Sequence, residues 1–171
     1  MMMTEHFTYE GFDFTMEIVD DDREPPWEDS GYGVVSSRHG SNKRPGERVL
    51  HRDGNHFHYY DWQKTMAKAK REGWGHPEGA QWAKEHGLTQ KQCIEAAVQW
   101  DFDRLQGWCD SKWRYVGVVV NYITESGRSE RASLWGVESD DEDAIKDMRD
   151  ELADQLLPFT EFERRMRKAV A

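Results

Sequence analysis

The apolar positions of this chain switch between a two-residue and a helical period, and the switches outline its elements. Phe7 to Val19, FTYEGFDFTMEIV, alternates aromatic and polar residues about Gly11, which predicts a β-hairpin. Tyr32 to Ser36 reads as an edge strand. Arg48 to Tyr60 sets Asp53-Gly54 between two strand-like runs, the strongest short-range hairpin signal in the chain. Trp113 to Ile123 is apolar at successive positions, as in a central strand covered on both faces, or on one face by a partner molecule. Ser126-Gly127 then turns that strand into Ala132 to Val137.

Between and after the strands the period lengthens. Asp61 is placed to cap a helix through Glu72, with Trp62, Met66 and Ala69 on one face and Gly73 as its stop. Pro77 opens a short helical segment, Glu78 to His86, that Gly87 ends. Thr89 and Gln92 form a capping box for a long helix to Cys109, whose stripe is Ile94, Ala97, Val98, Leu105 and Trp108. Asp101 falls in the middle of that stripe.

The last amphipathic segment has the clearest two faces. At 100° per residue, Ile145, Met148, Leu152 and Leu156 lie within about 80° of one another, and Asp143, Asp147, Asp150 and Asp154 within about 60° on the opposite side. Ser139 is expected to cap this helix, and Asp140, Asp141 and Glu142 suit its positive end. Pro158 is expected to break it, with Thr160 capping a final helix that carries Arg164, Arg165, Arg167 and Lys168. Hairpins alternating with helices imply an α+β chain, with an antiparallel sheet packed against several helices in a single domain and the helix after Thr89 as the main cover. Residues 20–30 and 37–47 are expected as exposed loops, and 159–171 as a peripheral C-terminal helix.

Composition narrows the chemistry. The chain has 171 residues and a formal net charge of -10, which opposes nonspecific attraction to nucleic acid and to anionic membrane and favours basic protein partners. Its 8 Trp, 7 Phe and 6 Tyr supply a core that its low apolar fraction would otherwise lack. No run is long enough to insert in a bilayer, and Met1 to Thr4 leads into charged sequence, so a cytoplasmic protein is expected. Cys93 and Cys109 lie on one predicted helix about 24 Å apart along its axis, beyond disulfide reach, and read as reduced, buried thiols.

Four groups of residues could carry function. His51, His56 and His58 share a hairpin, and the H-x-H pair projects from one strand face, so with Asp61 they could gather a transition metal; two imidazoles alone do not complete such a site. Asp101 is the one carboxylate that helical spacing pushes towards the core, where burial would raise its pKa towards acid–base use unless an Arg or a Trp N–H pairs with it. Arg38, Lys43, Arg44 and Arg48 sit in a polar basic loop that could contact nucleic acid. Asp140, Asp141, Asp143, Asp147, Asp150 and Asp154 could meet a basic partner or imitate nucleic-acid phosphates, although a solvated helix face has the same spacing. No Walker loop, G-x-G-x-x-G, zinc spacing or G-x-S-x-G elbow is present, which counts against the common enzyme classes, and no cofactor is expected.

The segments PPWEDSGYGVV, KRPGERVLH, YYDWQKTMAKAKREGWG and SLWGVESD resemble a group of small bacteriophage and prophage proteins, over about Pro25 to Leu156. That resemblance implies a non-secreted accessory protein of a mobile element acting inside a bacterium, and it brings no activity with it. Together with the acidic face, it leads to the expectation of a phage protein that binds and inhibits a host nucleic-acid-handling or defence protein, of anti-CRISPR or anti-restriction type. A metal-dependent nuclease or phosphoesterase on the histidine hairpin is the second expectation, and direct nucleic-acid binding by the basic loop the third. The doubly apolar strand and the abundance of Trp leave room for a homodimer.

Overall fold

The computed structural model describes residues 3–123 and 129–170. In chain order the elements are β1 (Met3–Tyr9), β2 (Phe12–Asp20), a 3-10 turn (Pro26–Glu28), β3 (Val35–His39), β4 (Glu47–Asp53) and β5 (His56–Asp61). They continue with α1 (Trp62–Glu72), α2 (Gly79–Glu85), α3 (Gln90–Cys109), β6 (Tyr115–Ile123), β7 (Ser129–Glu138) and α4 (Glu142–Val170). The class is α+β with antiparallel pairing throughout. The strands form two sheets rather than one, each in its own compact unit: Met1–Arg23 with Trp113–Ala171, and Glu24–Lys112.

The first unit carries a four-stranded sheet in the order β1-β2-β6-β7. Glu10 and Gly11 both take positive φ, 49° and 79°, the conformation that a two-residue hairpin turn needs to match strand twist. Phe14, Met16, Val118, Val120 and Tyr122 then line one sheet face, and Ile145, Leu152, Ala153 and Leu156 of α4 pack on it. The apolar row read from the sequence is therefore the core seam, and α4, not α3, covers this sheet. As its composition suggests, β6 is central and buried on both faces, Val119 as fully as Val118.

The pairing of β6 with β7 slips at Gly117, where Trp135 and Gly136 oppose one residue, and Gly136 has φ 80°. This is a β-bulge. The Trp135 ring occupies the space above Gly117, where a Cβ would lie 2.5 Å from it. The Ser126-Gly127 turn lies outside the described residues.

Two expectations about α4 are corrected. Asp141, not Ser139, is its cap: Asp141 Oδ1 accepts from the Ala144 amide at 2.9 Å and its carbonyl from Ile145, while Ser139 Oγ accepts from the Arg114 amide at 3.0 Å. The helix also runs through Pro158. The donor that Pro158 lacks would have served the Asp154 carbonyl, and both residues are on the exposed side, where water can replace it. Thr160 caps nothing; it is buried and donates to the Leu157 carbonyl at 2.8 Å.

The second unit carries the sheet β3-β5-β4, covered by α3 and α1 around Leu50, Tyr60, Ala69, Ile94, Val98 and Leu105. Asp61 caps α1 through the Lys64 amide at 2.9 Å and Gly73 ends it with φ 72°. The Thr89–Gln92 capping box is formed as read. Residues 37–39 and 47 extend β3 and β4 into the stretch read as loop, because Arg38 and Glu47 hold the two edges together. Among the described residues, no helix is long and apolar enough to cross a membrane.

Candidate functional site

The acidic face of α4 is present, and its members differ in what they do. Asp143 and Asp147 are exposed and make no ion pair or hydrogen bond among the described residues. Asp150 is half-buried and holds Arg149 through Nε and Nη2, both at 2.8 Å; Arg149 in turn lies 4.7 Å from the Phe7 ring and 3.9 Å from Glu5. Asp154 accepts from the Tyr9 hydroxyl at 3.4 Å, and burial followed by the Asp154 charge raises the Tyr9 pKa. Asp141 is taken up by capping, and Asp140 is exposed beside it. The outward charge is thus concentrated on Asp143 and Asp147, with exposed Glu151 one turn beyond Asp147. Glu151 was open to the same helical sweep, since i and i+4 share a face.

Two members of the basic stretch, Arg38 and Arg48, are held by neighbouring side chains. The Arg38 guanidinium pairs with both Glu47 oxygens, donates to the Asn42 carbonyl at 2.9 Å, and sits 4.0 Å above the Tyr59 ring. Arg48 stacks on Trp62 at 3.4 Å and reaches Gln99 at 3.3 Å. Lys43 and Arg44 have exposed side chains. Glu47 organises this corner: its Oε2 also accepts from the Arg44 amide at 2.7 Å, and the Arg38 hydrogen bonds hold its carboxyl below the usual range despite burial. The signal for it was a single acid closing a basic run.

The histidines do converge, though Asp61 is not among them. His56 and His58 share a face of β5, and the pairing places His39 beside His56 and His51 beside His58. Ring centroids are 4.9 Å apart for His39–His56, 5.2 Å for His56–His58 and 6.2 Å for His51–His58. Trp27 packs 5.2 Å from His58, and Ser37 Oγ bonds His58 Nδ1 at 2.6 Å. Burial, with His56 and His51 adding to it, lowers the His58 pKa and so disfavours the protonated ring. Asp61 points from the opposite face of β5 and is engaged by Lys64 at 2.9 Å. No group of three or more His, Cys, Asp or Glu among the described residues is arranged to hold a metal ion.

Asp101 is buried, 3% exposed, and its partners are neither an Arg nor a Trp. Its Oδ2 accepts from the Tyr60 hydroxyl at 2.7 Å and from the Gly33 amide at 3.0 Å. Burial raises its pKa, while those two donors and the Lys68 charge draw it down. Tyr60 is pushed up strongly by burial and by Asp101. Asp101 thereby ties β5 and the segment before β3 to the middle of α3. Cys93 and Cys109 are free thiols and half-buried rather than fully buried.

No known protein family matches the sequence, and no curated protein or solved structure matches it.

Proposed function

We propose that this chain is a non-enzymatic accessory protein that docks through the outward carboxylates of α4 onto a Lys/Arg-lined groove of a nucleic-acid-handling protein. In its specific form it is a bacteriophage protein that inhibits a host defence complex, of anti-CRISPR or anti-restriction type, inside the bacterium. The observation that carries this reading is the pair Asp143 and Asp147, exposed on the side of α4 away from its buried row and neutralised by no cation among the described residues. A helix anchored by Ile145, Leu152 and Leu156 presents those charges with little left to order on binding. Complementary fields would speed encounter with a basic groove and disfavour neutral or acidic surfaces. The net charge of -10 works against the chain holding nucleic acid itself. Members of the other candidate groups are engaged internally, Arg38 by Glu47, Asp61 by Lys64, and His58 by Ser37 and Trp27, while Lys43 and Arg44 stay exposed.

Capture from a bacterial lysate tests this, with the native chain and an Asp143→Lys/Asp147→Lys variant as baits at low and high salt. The expected result is a nucleic-acid-handling protein retained by the native chain at low salt only and lost from the variant. Retention of no such protein, or equal retention by both baits, removes the proposal.

A further inference from the structure

Within the second unit, α3, the 73–78 segment and the chain before β3 border an open cleft of about 610 Å³. Its walls include Tyr32, Trp74, Ala97 and Trp100, and its polar groups include Glu78 and Asp101. Most of its lining residues are aromatic, aliphatic or glycine, and the charged side chains among them are both carboxylates. Asp101 presents an unusual oxygen: Oδ2 takes both the Tyr60 and Gly33 hydrogen bonds, and no donor among the described residues reaches Oδ1. Oδ1 is therefore the carboxylate oxygen left for a ligand in the cleft, and it is not among the sealed side-chain atoms without a partner. Trp100 is 53% exposed at the cleft, a large aromatic surface left in water on the helix whose Ile94, Val98 and Leu105 are in the core.

The walls are held in place before any ligand arrives. Lys68 Nζ donates to the Ser30 carbonyl at 2.6 Å and to the Tyr32 carbonyl, fixing one wall. Trp74 is fixed by its indole N–H, which donates to Glu72 at 3.2 Å, and by Gly73 at the end of α1. Lys68 keeps its charge and acts on Asp101 from behind the wall, while the lining residues themselves offer two acids and π-faces and no cationic side chain.

We infer that this cleft binds a small organic ammonium ion with an apolar or aromatic body, the head received by Asp101 and Glu78 and the body by Tyr32, Trp74 and Trp100. Carboxylates supply the charge and the acceptors, and the aromatic faces attract both the cation and its hydrocarbon. Phosphate or carboxylate ligands are disfavoured, since two acids would repel them. This site is independent of the docking face on α4.

Phenethylammonium and 3-phenylpropionate share a phenylethyl body and differ in the charge of the head, so NMR titration of the Trp74 and Trp100 indole N–H signals separates charge from apolar affinity. The ammonium probe is expected to saturate at a millimolar Kd or tighter, and the carboxylate to bind at least about tenfold more weakly. Asp101→Asn keeps a carbonyl for Tyr60 and Gly33 and is expected to weaken the ammonium about tenfold; surface Glu78→Gln weakens it several-fold without a folding risk. Equal shifts from both probes, no saturation by about 50 mM ammonium, or unchanged affinity in Glu78→Gln and in folded Asp101→Asn overturns the assignment.

Discussion

The Gly33 amide donates to Asp101 Oδ2 at 3.0 Å, and a Cβ on Gly33 would lie 2.5 Å from that same oxygen. The backbone comes this close only because the residue has no side chain. Tyr60 closes the other side, its Cε2 also 2.5 Å from the same notional Cβ, so nothing flexible can give way. Gly33→Ala is therefore expected to cost about 1–3 kcal/mol by overpacking. Urea denaturation measures it; an unchanged midpoint would show that the approach is looser than described.

Pro158 stands inside a continuous helix and leaves the Asp154 carbonyl without its intrahelical donor. Replacing it with Ala restores that donor and a better helix former. Pro158→Ala should stabilise the first unit, by up to about 3 kcal/mol and less to the extent that water already serves the carbonyl. Thermal unfolding checks this, and a lower Tm would mean that the helix needs an interruption there.

Glu47 and Arg38 set one part of the pH response. Because the Glu47 carboxyl titrates below its ordinary 4.5, the stability it contributes is complete above that value and is lost as pH falls through its folded pKa. Asp101 acts in the opposite sense: burial raises its pKa above 3.8, so the folded chain loses stability as pH rises from there to the folded value. Melting temperature against pH should thus lose part of its acid-side decline in Glu47→Gln. In Asp101→Asn the decline should become steeper, because the opposing contribution is gone. Superimposable profiles for all three proteins would contradict both assignments.

Cys109 is half-buried, and burial aided by Asp110 pushes its thiol up to about 11. The thiolate is the reactive form, so labelling by iodoacetamide at neutral pH should be slower than for free cysteine, and should accelerate towards pH 10. Peptide mass spectrometry reads this directly. Rapid labelling at pH 7 would place the sulfur in a more polar setting.

Much of the fold was legible because local signals and burial agreed. The Asp61 and Thr89 caps and the Gly73 stop rest on interactions at one helix end, the Ile145–Leu156 row on the periodicity of one helix, and they formed as read. What the sequence hid depends on partners distant along the chain. Arg38 and Arg48 looked like a loose basic loop because nothing local indicates that Glu47, Tyr59 and Trp62 would hold them. Asp101 was recognisable as buried from its stripe, yet its partners Tyr60 and Gly33 are 41 and 68 residues away. The division into two sheets was also hidden, since hairpin signals fix neighbours within a pair and not which pairs join. Pro158 misled for the reverse reason: a strong local rule yielded where its cost falls on a solvated carbonyl.

The same contrast applies to the acidic face. Spacing grouped Asp143, Asp147, Asp150 and Asp154 as equals, whereas Arg149 and Tyr9 engage the last two. That difference gives the docking proposal its most direct test: the association rate of the native chain with its captured, purified partner across a salt series, beside Asp143→Lys/Asp147→Lys. The proposal predicts a rate that falls steeply with ionic strength and drops at least about tenfold in the variant at low salt. A rate indifferent to salt and to both substitutions would contradict it.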